Sequence, residues 1–547
     1  MPNTDASHGS GRRRPKNITL TYNELYGESN VPPNRYNRPH KGYKHSMRTY
    51  VWVTLLVTGV MAALWFLLGV VPNGGGTIPP SFQYGAADMY FHSIAIGMAA
   101  LLVYFVIIAF DIDKYEPNID FPIAYRAMLA TIIGAIGASF YLTPVFNAAF
   151  EPITEIIIFV ALLLLADVGG ALLVQLYLLP AKLSGRYKPN DNVMGMFPRI
   201  GNLPTFGDMK KMDSAYWLVT TAVAVAFIAG IMGFIALWVN PYDVLIATPK
   251  MFNGYISWIG GASAFVTYLV GSHSHAIGMA VILGVVAVVA KRYGVLEMRG
   301  RIRSVAKFGM WVSIVGLSVM IAVYLLEAFT TVWPGSVPPN ILASSTGGPI
   351  QLVSSTAPNG MAGDDSTMFL ASLGAIIMLV PLMLTKLRGK AAWRDPVRMA
   401  ILGTWILAYI ATPIEGFFIE FHEAMLSGTP LDIVFGNLQY FALFGITMVA
   451  LALLSIDFFS SEGKSKKAIA ISSILILVFT LVSGFIYAFY DPGALNASGS
   501  VSGITTWGVV FSVGLLLISV VIVAAMLMVK SGNRHPIVNR AVAHANG

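Results

Sequence analysis

The sequence predicts an all-α, polytopic membrane protein of about twelve transmembrane helices with internal repeats, and three observations predict it. The 547 residues are 56% hydrophobic and only 11% charged, with a mean hydropathy of +0.69. That balance belongs in lipid rather than water. The apolar residues come in runs of ~20, the length that crosses a hydrocarbon core of ~30 Å. Lysines and arginines then collect in every second connection between those runs, as short cytoplasmic loops do.

The elements follow in order. Residues 1–48 form a basic tail with Arg12, Arg13, Arg14, Lys16, Lys41, Lys44 and Arg48. Its length and polarity do not fit the front of a cleaved signal peptide, so it is expected to stay attached. A first helix group, 49–211, holds apolar runs at 49–71, 90–110, 123–144 and 153–179. A second, 212–333, holds 215–240, 272–291 and 305–328, and an outer loop follows at 334–366. The third, 367–529, holds 367–386, 397–414, 434–457, 468–490 and 504–529 before a basic tail at 530–547. Basic residues cluster at Lys114 with Arg126, Lys182 to Lys211, Lys291 to Lys307, Lys386 to Arg398 and Lys464 to Lys467, whereas 72–89, 145–152, 329–366, 415–433 and 491–503 have none. Both termini are therefore expected in the cytoplasm, with the chain multi-pass in the cell membrane. A thirteenth crossing at 256–271 would invert every later loop. That segment is expected to be re-entrant, interfacial or an extension of the sixth helix.

Composition also excludes chemistry. With no cysteine, the chain has no disulfide, thiolate metal site, iron–sulfur ligand or c-type heme attachment of its own. The net charge of +8 is spread over one set of loops, where topology explains it, so no nucleic-acid partner is expected.

The octapeptide beginning at His92, HSIAIGMA, returns at His273 as HSHAIGMA, with His275 at the one position that differs. Each copy opens an apolar run, and histidine inside such a run usually holds a metal, a cofactor or a proton. A third unit can be proposed from Phe369, where Gly374 sits as Gly97 and Gly278 do. By the predicted topology, His92, His273, His275 and His422 share the outer face. So do the carboxylates Asp88, Glu151, Glu155, Glu327, Glu415, Glu420 and Glu423. Such a face either binds a divalent metal or orients histidines toward a heme. Solvated interfacial side chains would give the same pattern without any cofactor. At ~100° per residue, His273 and His275 point about 200° apart on an intact helix and serve opposite sides. Asp167 is the clear acid inside a run, either a proton relay or a hydrogen-bonded partner of nearby polar groups.

Twelve spans, cytoplasmic termini, repeated helix groups and histidines on a second helix and in an HxH pair together resemble subunit I of the heme-copper oxidase superfamily. The resemblance implies b-type heme, with His92 a ligand to a low-spin heme and His273 and His275 ligands to one heme each. Here the HxH pair lies on the sixth helix rather than the tenth, and the histidines of the copper site are missing. A copper-containing oxygen-reducing centre is therefore not expected.

The function expected is a redox subunit of a respiratory electron-transfer complex, part of a quinol- or cytochrome-linked oxidoreductase. Heme b would sit near the outer face, held by His92 and one of His273 or His275, with His422 a further candidate. Asp88, Asp167, Glu327, Glu415 and Glu420 are candidates for proton release or quinol contact. The partners are the lipid bilayer, other subunits and a quinone. Two other readings stand beside it: a secondary transporter of a cation or proton-coupled substrate, and a cofactor-free structural subunit of a membrane enzyme complex.

Overall fold

The computed structural model describes residues 47–65, 80–112, 117–140, 151–187, 203–239, 262–292, 300–332 and 362–386, with 451, 452, 454, 455 and 458. Every regular element among them is a helix: α1 (Met47–Trp65), α2 (Pro80–Ala109), α3 (Pro117–Phe140), α4 (Glu151–Leu183), α5 (Phe206–Lys210), α6 (Ser214–Val239), α7 (Ala262–Arg292), α8 (Arg301–Val332) and α9 (Ala362–Lys386). In lipid a helix satisfies its own backbone, which is why long apolar runs take this form. Stretches of α2, α4, α6, α7 and α8 are long and apolar enough to cross a membrane, and α1, α3 and α9 carry shorter apolar runs.

These eight helices answer to the first eight predicted spans. The later spans at 397–414, 434–457, 468–490 and 504–529 lie outside the described residues, apart from the few positions near 455. Residues 262–271 continue α7 without a break, which agrees with an extension of the sixth helix. Arg126, counted above with a basic loop, instead stands within α3.

Local chemistry stops the helices where the periodicity alone does not. Asp111 ends α2 in the left-handed region at φ 53°, a conformation aspartate tolerates better than most side chains. Gly185, at φ 71°, does the same after α4, and the Arg186 N–H donates to the Ala181 carbonyl at 3.1 Å. Asp213 caps α6 by accepting from the Tyr216 N–H at 2.8 Å.

The helices pack in sequence-neighbour pairs, α1 on α2, α3 on α4, α6 on α7 and α8 on α9, and the pairs meet through α2 with α7 and α4 with α6. The core is centred on α2 and α7, whose lower halves are almost wholly buried. Large rings fill it, including Tyr104, Phe105, Tyr216 and Tyr324. Tyr104 shares a 2.8 Å hydrogen bond with Thr54 of α1, and the Tyr216 hydroxyl donates to the Leu176 carbonyl of α4 at 3.0 Å. These two buried phenols thus find partners on neighbouring helices.

Candidate functional site around the repeated octapeptide

Both octapeptides lie inside long helices. His92 is preceded by twelve residues of α2, and His273 by eleven of α7. The 18-residue apolar stretches of these helices begin at His92 and at His275. The histidines stand about three turns below the first residue of each helix.

Two contacts fix how the repeat helices lie. A Cβ on Gly284 of α7 would meet Leu102 of α2 at 2.9 Å. Farther along, the Lys291 ammonium of α7 sits 5.9 Å from the centre of the Phe110 ring that ends α2. Leu102 and Gly284 stand ten and eleven residues after their histidines, and Phe110 and Lys291 both stand eighteen after. Matching depth at two points means that the helices run side by side, parallel and in register. His92 and His273 consequently share one level.

The helix is unbroken through 273–275, so the two histidines of the pair take opposite sides. His273 falls on nearly the same line of α7 as Gly284, eleven residues being close to three turns. Gly284 faces both Leu102 of α2 and Ala222 of α6, so His273 lies on the side of α7 that, three turns further along, meets the junction with α2 and α6. Its ring rests on Gly233 of α6, where a Cβ would stand 2.7 Å from Cδ2 and 3.2 Å from Nε2. His275 points away from that junction and is 4% exposed. His92 is half-buried.

The first octapeptide has its own close contact. A Cβ on Gly97 would overlap the Thr58 side chain of α1, and Ile96 lies against Gly134 of α3. Between α1, α2 and α3, a cavity of about 10 Å³ is lined by Thr58, Met61, Ser93, Ile96 and Thr131, among others. That is the room one water needs. The Thr131 hydroxyl donates to the Ala127 carbonyl at 3.1 Å, while the buried Thr58 hydroxyl has no hydrogen-bond partner among the described residues. A single water there would satisfy it.

Other predicted residues are placed less fully. Asp167 forms an ion pair with Arg126 of α3 at 3.1 Å. Gly278 is buried on α7, Gly374 is buried on α9 and Phe369 is half-buried one turn before it. Only the helical backbone is described for Asp88, Glu151, Glu155 and Glu327, and Glu415, Glu420, His422 and Glu423 lie outside the described residues. Among the described residues no three His, Asp or Glu side chains gather into a metal-sized group.

Sequence reasoning missed Thr58, Gly233 and Arg126. Nothing in their local patterns names the helix each one faces.

The donor chemistry fits a heme in one respect and constrains it in another. Two imidazoles at one level of adjacent apolar helices are the donor set that a b-type heme takes. His273, on the junction side, is the member of the HxH pair suited to act with His92. Its ring fills the space that a Cβ at Gly233 would take, so α6 limits where it stands. No protein-family model, curated protein or solved structure matches this chain.

Proposed function

We propose that the chain is a membrane redox subunit that holds b-type heme at the level of its repeated octapeptides and passes electrons between a quinol and a partner subunit. The observation that carries this reading is the parallel, in-register packing of α2 and α7, which sets His92 and His273 at one depth. His92 and His273 would hold the iron, and His275 would serve a second group on the far side of α7. When bound, heme supplies one-electron transfer.

The chain's own residues set the surroundings of that chemistry. The buried lower halves of α2 and α7 close the bundle beneath the histidine level, and Gly233 leaves room for an imidazole beside α6. The outer carboxylates Asp88, Glu327, Glu415 and Glu420 are proposed to take protons released on quinol oxidation, with His422 among them. The proposal includes all twelve spans, both termini in the cytoplasm and insertion in the cell membrane. Repeat helices that run unbroken through the histidines favour it over a transporter, whose substrate sites use interrupted helices.

An absorption spectrum of the purified protein tests the reading. The expected result is a Soret band with reducible b-type features, lost or strongly weakened in His92→Ala and His273→Ala. A purified, folded protein with no Soret band and no bound metal would overturn it.

A further inference from the structure

Five cations gather at one end of the bundle, on elements far apart in the chain. Lys210 and Lys211 close α5 just before α6 begins at Ser214, and Arg301, Arg303 and Lys307 stand in the first two turns of α8. The Ser214 hydroxyl donates to the Met310 sulfur of α8 at 3.1 Å, so α8 passes the start of α6. Arg303, Lys307 and Met310 follow at spacings of four and three and share one side of α8. That side therefore carries Lys307, then Arg303, outward from Ser214, as the chain before Ser214 carries Lys211 and Lys210. Four of the five are exposed and Lys307 is half-buried. Among the described residues none of them has an ion-pair partner. Asp208 is taken by Thr205 and Arg186, and Asp213 by Lys291. From Lys291 to Lys307 the sequence holds six basic residues and one acid, Glu297.

An apolar face leads away from the same charges. Arg301 heads the line of α8 that runs through Val305, Phe308, Val315 and Val319, all exposed. Trp311, 48% exposed, lies one turn from Lys307, and tryptophan favours the level where headgroups meet hydrocarbon. Phe206 of α5, 83% exposed, stands one turn before Lys210. We infer that this end binds an anionic phospholipid, its headgroup held within the cluster of cations and its acyl chains along the exposed face of α8. Unpaired basic residues at the end of a spanning helix attract anionic headgroups. Such a lipid supplies both the negative charge and the apolar surface. An acidic protein segment would leave Phe308 and Val315 uncovered, and an apolar helix would leave the cations unpaired. A zwitterionic phospholipid brings its own cation to the cluster and gains less there. The inference rests on α8 crossing a membrane and is independent of heme.

Native mass spectrometry of the purified full chain tests this, with dioleoyl phosphatidylglycerol as the probe and dioleoyl phosphatidylcholine as the comparison. Phosphatidylglycerol should stay bound at concentrations where phosphatidylcholine does not. Lys211→Gln, Arg303→Gln and Lys307→Gln combined should lower its retention severalfold, with helical content unchanged by circular dichroism. Arg12→Gln, Arg13→Gln and Arg14→Gln, which remove equal charge from the basic tail, should leave it unchanged. Phe308→Ala, which keeps every charge, should lower it as well. Equal retention of the two lipids, or an equal loss from the two charge triples, overturns the site. Displacement of the lipid by inorganic phosphate overturns a lipid in favour of a free anion, and retention unchanged by Phe308→Ala overturns the apolar half.

Discussion

A methyl group at Gly97 would overlap the Thr58 side chain of the neighbouring helix, so Gly97→Ala should destabilise the protein by about 1–3 kcal/mol, the usual cost of overpacking. In a Thr58→Ala background, where the hydroxyl and methyl are gone, most of that loss should return. Melting of both variants in detergent checks the pair. Outside the membrane, Asp208 in the first turn of α5 is buried. The Thr205 hydroxyl donates to its carboxylate at 2.7 Å and the Thr205 N–H at 2.9 Å, with the Arg186 guanidinium at 3.6 Å. The Thr205 hydroxyl bond first, then its backbone bond, then Arg186 hold the carboxyl below the usual carboxylate range. A depressed folded value means that its stabilising effect is present above the unfolded value of about 4 and is lost as pH falls through the lower folded one. Hydrogen exchange of residues 205–211 should therefore rise on acidification below that range, and Asp208→Asn should flatten the response. At this scale the sequence was partly legible. The octapeptide named the histidines, but only tertiary packing names Thr58 and Gly233 as what two of its positions face.

Among elements, the α8–α9 pair shows most clearly what pattern reading reaches. Gly374 was visible as the glycine of a third repeat unit, yet its partners were not. A Cβ there would collide with Ser313 of α8 and stand 2.5 Å from the Gly309 carbonyl oxygen, and one at Gly316 would stand 2.5 Å from the Ala371 N. The Ser313 hydroxyl donates to the Ala371 carbonyl at 2.8 Å. The helices thus touch backbone to backbone along small residues, the arrangement that dispersion and interhelical hydrogen bonds favour in lipid. Gly316→Val should force the pair apart, lowering the melting temperature and exposing α9 to proteolysis. Ser313→Ala should cost far less, since interhelical bonds of this kind contribute about 0.6 kcal/mol on average. Segment lengths were read well from apolar runs, while helix ends depended on caps. α2 and α7 begin ten residues before the apolar runs predicted for them, because a helix needs only buried or satisfied backbone, not a lipid-soluble sequence, to continue.

At the scale of the molecule, the alternation of basic and neutral loops is legible in single residues as an expected topology, and the described helices fall in the order of the first eight predicted spans. The side-by-side setting of the two repeat copies was not, because it depends on contacts between residues far apart in the chain. Lys291 shows what that setting does. Its ammonium lies 2.8 Å from Asp213 at the start of α6 and over the Phe110 ring at the end of α2, so one side chain fastens three helix ends. The pair with Asp213 is partly exposed and adds at most about 1 kcal/mol; its importance is mechanical. With α2 and α7 pinned there, the histidine level lies eighteen residues away, at the end of a lever about 27 Å long. A tilt of about 5° between the helices would move the two histidine levels by about 2 Å while leaving the pin nearly still. The octapeptides, at the far end from Lys291, are therefore where a change of angle between α2 and α7 would be largest.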